Sequence, residues 1–243
     1  MSRGDESDVP ARLRERLCSF RGVVLDADVF AALVGAFSDD LCEAPTDNVV
    51  YAFLLELRRL MGERFVLYSY EELQAKYAEI VRELADERVV CDDCPASPVS
   101  PTVRGLCHLF RSHKEVRVPR LLSRSGLLEQ LERLYRELLR AGCTCPPEFR
   151  DFKHDFVEGR AGDEHVHVAN VLVAAVKRAV LVTSDRRIKD VCDRLKPGCL
   201  CIRLDRECVR DPTQEELRLE LAPELGGLPS ELRYRRVAGG FAP

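Results

Sequence analysis

Short unbroken apolar runs, each closed by an acid or a hydroxyl and followed by apolar residues at helical spacing, recur along this chain. The first is Val23-Val24-Leu25, stopped by Asp26, with Val29, Phe30, Leu33, Val34 and Phe37 after it. A run without alternation predicts a strand buried on both faces, and the spacing behind it predicts a helix. Thr46-Asp47 offers an N-cap for a second helix over residues 49–61, which Gly62 ends. Residues 65–68 predict a second strand, and Ser69 caps a helix from Tyr70 to about Ala85. The pattern resumes at Asp163 with a helix carrying Val168, Val171, Leu172 and Ala175, then a strand over residues 179–182, a short helix over 186–195 and a last strand over 199–204. Strand and helix in alternation predict an α/β fold with a central parallel sheet.

Between these blocks the pattern breaks. Val89-Val90-Cys91-Asp92-Asp93-Cys94-Pro95, then Pro98 and Pro101, mark an irregular stretch, and leucines at helical spacing over residues 127–139 stop at Gly142. The organisation read from this is a charged lead-in over residues 1–20, with a short helix over 10–17. A main domain spans 21–204, with an insertion at about 88–160, and a helix and tail without a further strand occupy 205–243.

Composition narrows the class. The chain has 243 residues, 46% of them apolar, which is enough for a sizeable core. The 32% charged fraction and net charge of -4 leave room for a nucleic-acid partner, because local patches set the field. No twenty-residue apolar run exists and the polar N-terminus lacks a signal peptide's centre, so the expectation is a cytoplasmic protein with no membrane span. Eleven cysteines are many for a reducing compartment, and the odd count leaves at least one unpaired or on a metal. Two methionines, no tryptophan and dense Glu and Arg suit a thermophile, where intracellular disulfides occur.

The candidate chemistry lies in the acids. Asp26 ends the first strand, Asp28 stands two residues on at the turn into a helix, and Asp185 follows the strand that ends in Val182, behind Thr183 and Ser184. Ligands of a parallel sheet sit beyond the carboxyl ends of its strands, so these acids face one crevice. Asp163 opens the helix leading into the second of the two strands, as a cap or as a carboxylate aimed into the crevice. Asp26, Asp163 and Asp185, with Asp28 beside them, are candidate ligands of Mg²⁺ or Mn²⁺, since carboxylate oxygens suit hard cations. Such ions serve phosphoryl chemistry. Taken singly, Asp163 and Asp185 read first as a cap and a turn residue, and their combined placement reverses that.

Val23-Val24-Leu25-Asp26-Ala27-Asp28-Val29-Phe30, together with Asp163 and the segment Ala179-Val180-Leu181-Val182-Thr183-Ser184-Asp185-Arg186-Arg187-Ile188, resembles the PIN-domain nucleases. These include toxin-type and RNA-processing endoribonucleases. The resemblance implies a three-layer α/β/α sandwich and three or four acids holding Mg²⁺ or Mn²⁺, with Asp26 as first acid, Asp163 as third and Asp185 as fourth. It implies a ribonuclease acting on RNA, with an antitoxin or RNA-processing protein as partner and a homodimer as a candidate assembly. The second acid of the family falls at Ala75 here. Glu72 is the candidate substitute, with Glu71 and Glu79 as neighbours. The alternative is a catalytically degenerate PIN-like module that binds RNA or protein.

Other polar clusters have more than one reading. Thr183, Ser184 and Arg186 are candidates for holding substrate phosphate. His165 and His167 lie beside the acids, but residues two apart point to different helix faces and do not share an ion. Cys91, Cys94, Cys107 and His113 have the spacing of a small structural Zn²⁺ site, against free thiols or disulfides as the other accounts.

Overall fold

The computed structural model describes residues 9–34, 48–84, 113–118, 133, 136, 140, 163–194, 200–221, 230–237 and 240–242. The first elements are α1 (Val9–Leu17), β1 (Val23–Leu25), α2 (Ala27–Val34), α3 (Val49–Met61), β2 (Leu67–Ser69), α4 (Glu71–Leu84) and β3 (His113–Glu115). After these come α5 (Asp163–Lys177), β4 (Val180–Thr183), α6 (Arg186–Arg194), β5 (Leu200–Leu204), α7 (Arg206–Arg210), β6 (Glu216–Glu220), β7 (Glu231–Val237) and β8 (Gly240–Ala242).

The strands form one eight-stranded sheet in the order β3-β2-β1-β4-β5-β6-β7-β8. The first five run parallel, with Val23 opposite both Leu67 and Val180, and Val180 opposite Leu200. All three residues of β1 and the four of β4 are buried. Successive strand side chains point to opposite faces, so both faces of this half are covered, as an unbroken apolar run requires. From β1 the chain steps outward to β2 and β3, then returns to β4 on the other flank and continues to β5. The order therefore reverses between β1 and β4, the place where open parallel sheets bind ligands.

Local chemistry sets these elements. Asn48, not Thr46 or Asp47, caps α3. Its Oδ1 accepts from the Tyr51 N–H at 2.8 Å and its Nδ2 donates to the Ala32 carbonyl at 2.8 Å, joining α3 to α2. An N-cap of this kind contributes about 1 kcal/mol. Gly62 ends α3 with φ 58°, a conformation that glycine adopts without a Cβ penalty. A 3-10 turn over Gly62–Arg64 then delays the second strand, so it begins at Leu67 rather than Phe65. Gly22 lies where β1 meets β2; a Cβ there would come within 2.4 Å of the Val66 carbonyl oxygen.

Two expectations are corrected. The sheet is mixed rather than parallel throughout, because the segment after Asp205 holds α7 and then three antiparallel strands instead of a helix and tail. Glu216-Leu217-Arg218-Leu219-Glu220 and Glu231-Leu232-Arg233-Tyr234-Arg235 alternate with period two. Leu217, Leu219, Leu232 and Tyr234 turn inward and the charged residues outward. Glu has a low strand propensity and hid this pattern, but burial on one face outweighs propensity. The inner face packs on α3, where Tyr234 meets Phe53 edge-on at 6.0 Å. The insertion also contributes an ordered edge, since β3 lies within it and pairs with β2.

Candidate functional site

The carboxyl ends of β1 and β4 bring Asp26, Asp28, Thr183, Ser184 and Asp185 together. Asp26 follows the last residue of β1, its N–H donating to the Val182 carbonyl at 2.9 Å, and it has no exposure. Its carboxylate collects donors from three elements. Oδ1 accepts from the Ala27 N–H at 3.0 Å and from Asn170 Nδ2 of α5 at 2.9 Å, and Oδ2 accepts from Thr183 Oγ1 of β4 at 2.6 Å. His167 Nδ1 stands 3.3 Å from Oδ1, with geometry short of a hydrogen bond. Burial pushes the Asp26 carboxyl up, but the charge of His167 and these hydrogen bonds prevail and hold it below its ordinary range.

Asp28 is the counterpart. Its Oδ1 accepts from the Val29 N–H at 2.7 Å, and its Oδ2 accepts from the N–H of Ser184 at 3.1 Å and from the Ser184 hydroxyl. Burial and the neighbouring Asp26 charge push its carboxyl up to about 6. Thr183 ties both strand ends, since its hydroxyl donates to Asp26 and accepts from the Asp185 N–H at 3.1 Å. Asp185 is half-buried, and burial would raise its carboxyl. Arg187 lowers it instead, donating from its backbone N–H at 2.8 Å and from its guanidinium, whose Nη2 is 2.6 Å away. Burial pulls the His167 imidazole down, yet the surrounding carboxylates, Asp26 foremost, drive it up to about 9.

These donors fit a hard cation. Each carboxylate oxygen has room for two partners. Asp26 Oδ2 and Asp28 Oδ1 each accept one hydrogen bond here and keep a lone pair for another. The raised Asp28 carboxyl lies beside the Asp26 charge, a pairing of negative groups that a divalent cation would compensate. Mg²⁺ is commonly held by one or two carboxylates and otherwise by water and substrate phosphate. Among the described residues, no three His, Cys, Asp or Glu side chains form a metal-binding group.

The remaining predicted residues divide. Asp163 opens α5 one turn before His167, and its side chain lies outside the described residues. Glu72 is half-buried in the first turn of α4 and raised by burial. No hydrogen bond or ion pair among the described residues joins it to Asp26, Asp28 or Asp185. Arg186 is exposed at the start of α6, next to Asp185. Of the proposed zinc ligands, Cys91, Cys94 and Cys107 lie outside the described residues. His113 stands on β3, its Nε2 2.5 Å from Ser69 Oγ and its imidazole lowered by burial. Ser69 also accepts from Gln74 Nε2 at 2.9 Å and has no exposure, so this Ser–His contact offers no accessible nucleophile. Cys18, Cys201 and Cys208 are free thiols, whereas Cys192 is in a disulfide.

Sequence reading passed over Asn170 and Tyr70. Asn170 is fully buried in α5, and the Tyr70 hydroxyl lies 2.9 Å from its Oδ1 and 2.8 Å from the Val166 carbonyl oxygen. The signal was present in Val168-Ala169-Asn170-Val171-Leu172-Val173, because a lone amide in an apolar helix must find a buried partner. Compared with known protein families, curated proteins and solved structures, the chain matches none.

Proposed function

We propose that this chain is a Mg²⁺- or Mn²⁺-dependent endoribonuclease of PIN-like, three-layer architecture, acting on RNA in the cytoplasm. The observation that carries the reading is the convergence of Asp26, Asp28 and Asp185 on the β1–β4 switch point, where one oxygen of Asp26 and one of Asp28 each accept a single hydrogen bond. Asp26 and Asp28 would hold the cation, with Asp185 and Asp163 as further ligands. Such an ion supplies charge neutralisation at a phosphodiester and a more acidic water. His167, Thr183 and the Ala27 N–H hold the Asp26 carboxyl low, and Thr183 and Asn170 fix its direction. His167, a third exposed and raised by the carboxylates around it, stands beside Asp26 on the wall of the crevice, where its imidazole can meet a phosphate oxygen. Arg186, exposed beside Asp185, adds positive charge on that side, and an RNA-processing protein or an antitoxin is the partner class this reading carries.

A second reading is an RNA- or protein-binding module of the same architecture without cleavage. It is favoured by His167, which already gives Asp26 a positive neighbour. The two readings part in an assay of labelled single-stranded and structured RNA with Mn²⁺ or Mg²⁺, comparing wild type, Asp26→Asn and Asp185→Asn. The nuclease reading expects metal-dependent cutting that both substitutions abolish. A folded wild type that binds RNA without cutting it establishes the binding module. Equal cutting by all three proteins refutes the assignment of the site.

A further inference from the structure

We propose that Asn170 is a positioning residue for Asp26 and that Tyr70 aims it; the proposal rests on the reading of Asp26 as the central carboxylate of the site. A side-chain amide has a donor end and an acceptor end, and only its surroundings decide which way it points. An ionised carboxylate accepts and never donates, so the atom 2.9 Å from Asp26 Oδ1 is the NH₂ group. The amide oxygen therefore faces the Tyr70 hydroxyl at 2.9 Å, and that hydroxyl must donate. Its proton lies between two acceptors one turn apart on α5, Asn170 Oδ1 and the Val166 carbonyl at 2.8 Å. Every donor along this line thus points toward Asp26.

The three side chains are fully buried and come from three elements, so the line is fixed by packing as well as by hydrogen bonding. Tyr70 immediately follows β2, Asp26 follows β1, and Asn170 stands on α5 ahead of β4. With the Ala27 N–H and Asn170 both on Oδ1, that oxygen is filled, and Asp26 can accept a further partner through Oδ2. The relay therefore selects which oxygen of Asp26 works and where its remaining lone pair is directed. Side chains that orient a functional carboxylate typically change activity about 10–100-fold when removed.

The test uses Asn170→Ala, Asn170→Asp, Tyr70→Phe and the double variant Tyr70→Phe/Asn170→Ala, each first confirmed as folded by its cooperative thermal transition. Asn170→Asp is nearly isosteric, but buried against Asp26 its carboxyl either repels that charge or binds a proton between the two, so it perturbs the carboxylate rather than the packing. With Mn²⁺ and labelled RNA, Asn170→Ala and Asn170→Asp are expected to lower kcat about 10–100-fold with KM nearly unchanged. Tyr70→Phe is expected to lower kcat less, and to add nothing in the Asn170→Ala background. Wild-type kcat in folded Asn170→Ala, or independent losses from Tyr70 and Asn170, overturns the proposal. If wild type cuts no RNA, the nuclease reading fails and the relay is decided by NMR. The Asn170 side-chain NH₂ pair should exchange slowly with water and shift in both Asp26→Asn and Tyr70→Phe. No shift in either overturns the relay.

Discussion

Asp28→Asn should make this protein more stable at neutral pH and remove part of its pH dependence. Asp28 is raised from the ordinary 3.8 to about 6 by burial and by the adjacent Asp26 charge. A folded-state value above the unfolded one means stability that is full below the unfolded value and is lost as pH rises through the folded one. Each decade in proton affinity is worth about 1.4 kcal/mol, so wild type should lose about 2 kcal/mol through Asp28 between about pH 4.5 and about pH 7.5. Asparagine carries no charge to repel Asp26. Its NH₂ group, however, turns a donor toward the Ser184 N–H, which loses its acceptor at a cost of about 1 kcal/mol. Against a group that never ionises, the raised carboxyl costs about 3 kcal/mol at about pH 7.5 and about 1 kcal/mol at about pH 4.5, so the net expectation is a gain of about 2 kcal/mol at the higher pH and equal stability at the lower. His167, raised to about 9, contributes stability that is full below 6.5 and lost as pH climbs through 9. It does so in both proteins, less strongly in the variant because the Asp28 charge is the least of those that raise it, so the difference between them is chiefly that of Asp28. Urea unfolding with EDTA, followed by far-UV circular dichroism because the chain has no tryptophan, measures both values. The reasoning fails if the stability difference between the proteins is the same at both pH values. Adding Mn²⁺ at about pH 7.5 should then stabilise wild type more than the variant, by an amount that grows with concentration.

Two further outcomes follow from the packing. Gly22→Ala puts a methyl group 2.4 Å from the Val66 carbonyl oxygen and 2.5 Å from the Tyr68 ring, so it should cost about 1–3 kcal/mol or more and lower the melting temperature; an unchanged melting temperature would show that β1 and β2 separate more easily than their contact implies. Tyr77→Phe removes a hydroxyl that donates to the Leu25 carbonyl at 2.5 Å while keeping the ring stacked on Phe30 at 3.8 Å. Urea unfolding should show a loss of about 1–2 kcal/mol, and a neutral result would mean that the carbonyl has another donor.

What the sequence reveals depends on how each signal is written. β1 and β4 were legible because strands buried on both faces read as unbroken apolar runs, and the acids that end them follow directly. α3, α5 and α6 were legible from helical spacing and from Gly62. The strands β6 and β7 were not, since their outward residues are Glu and Arg, which also suit a solvated helix. The N-cap of α3 moved from Thr46-Asp47 to Asn48 because only tertiary contact supplies the Ala32 carbonyl that orients it. At the site, Asp26, Asp28 and Asp185 could be named from their strand ends. Asn170 is 144 residues from Asp26 and their contact carries no local signature, so its partner could be learned only from the fold.

The bond from Thr183 to Asp26 spans 157 residues of chain. Closing a loop of that length costs about 4–5 kcal/mol in chain entropy before any contact repays it. Strands joined across such distances are slow to meet, whereas a local hairpin like β6–β7 forms quickly. During synthesis the first acids emerge from the ribosome long before β4 does. An incomplete chain therefore carries Asp26 and Asp28 without the strand that completes their crevice. Whatever chemistry this crevice performs is withheld from the nascent polypeptide until the segment through Asp185 has been made and has docked beside β1.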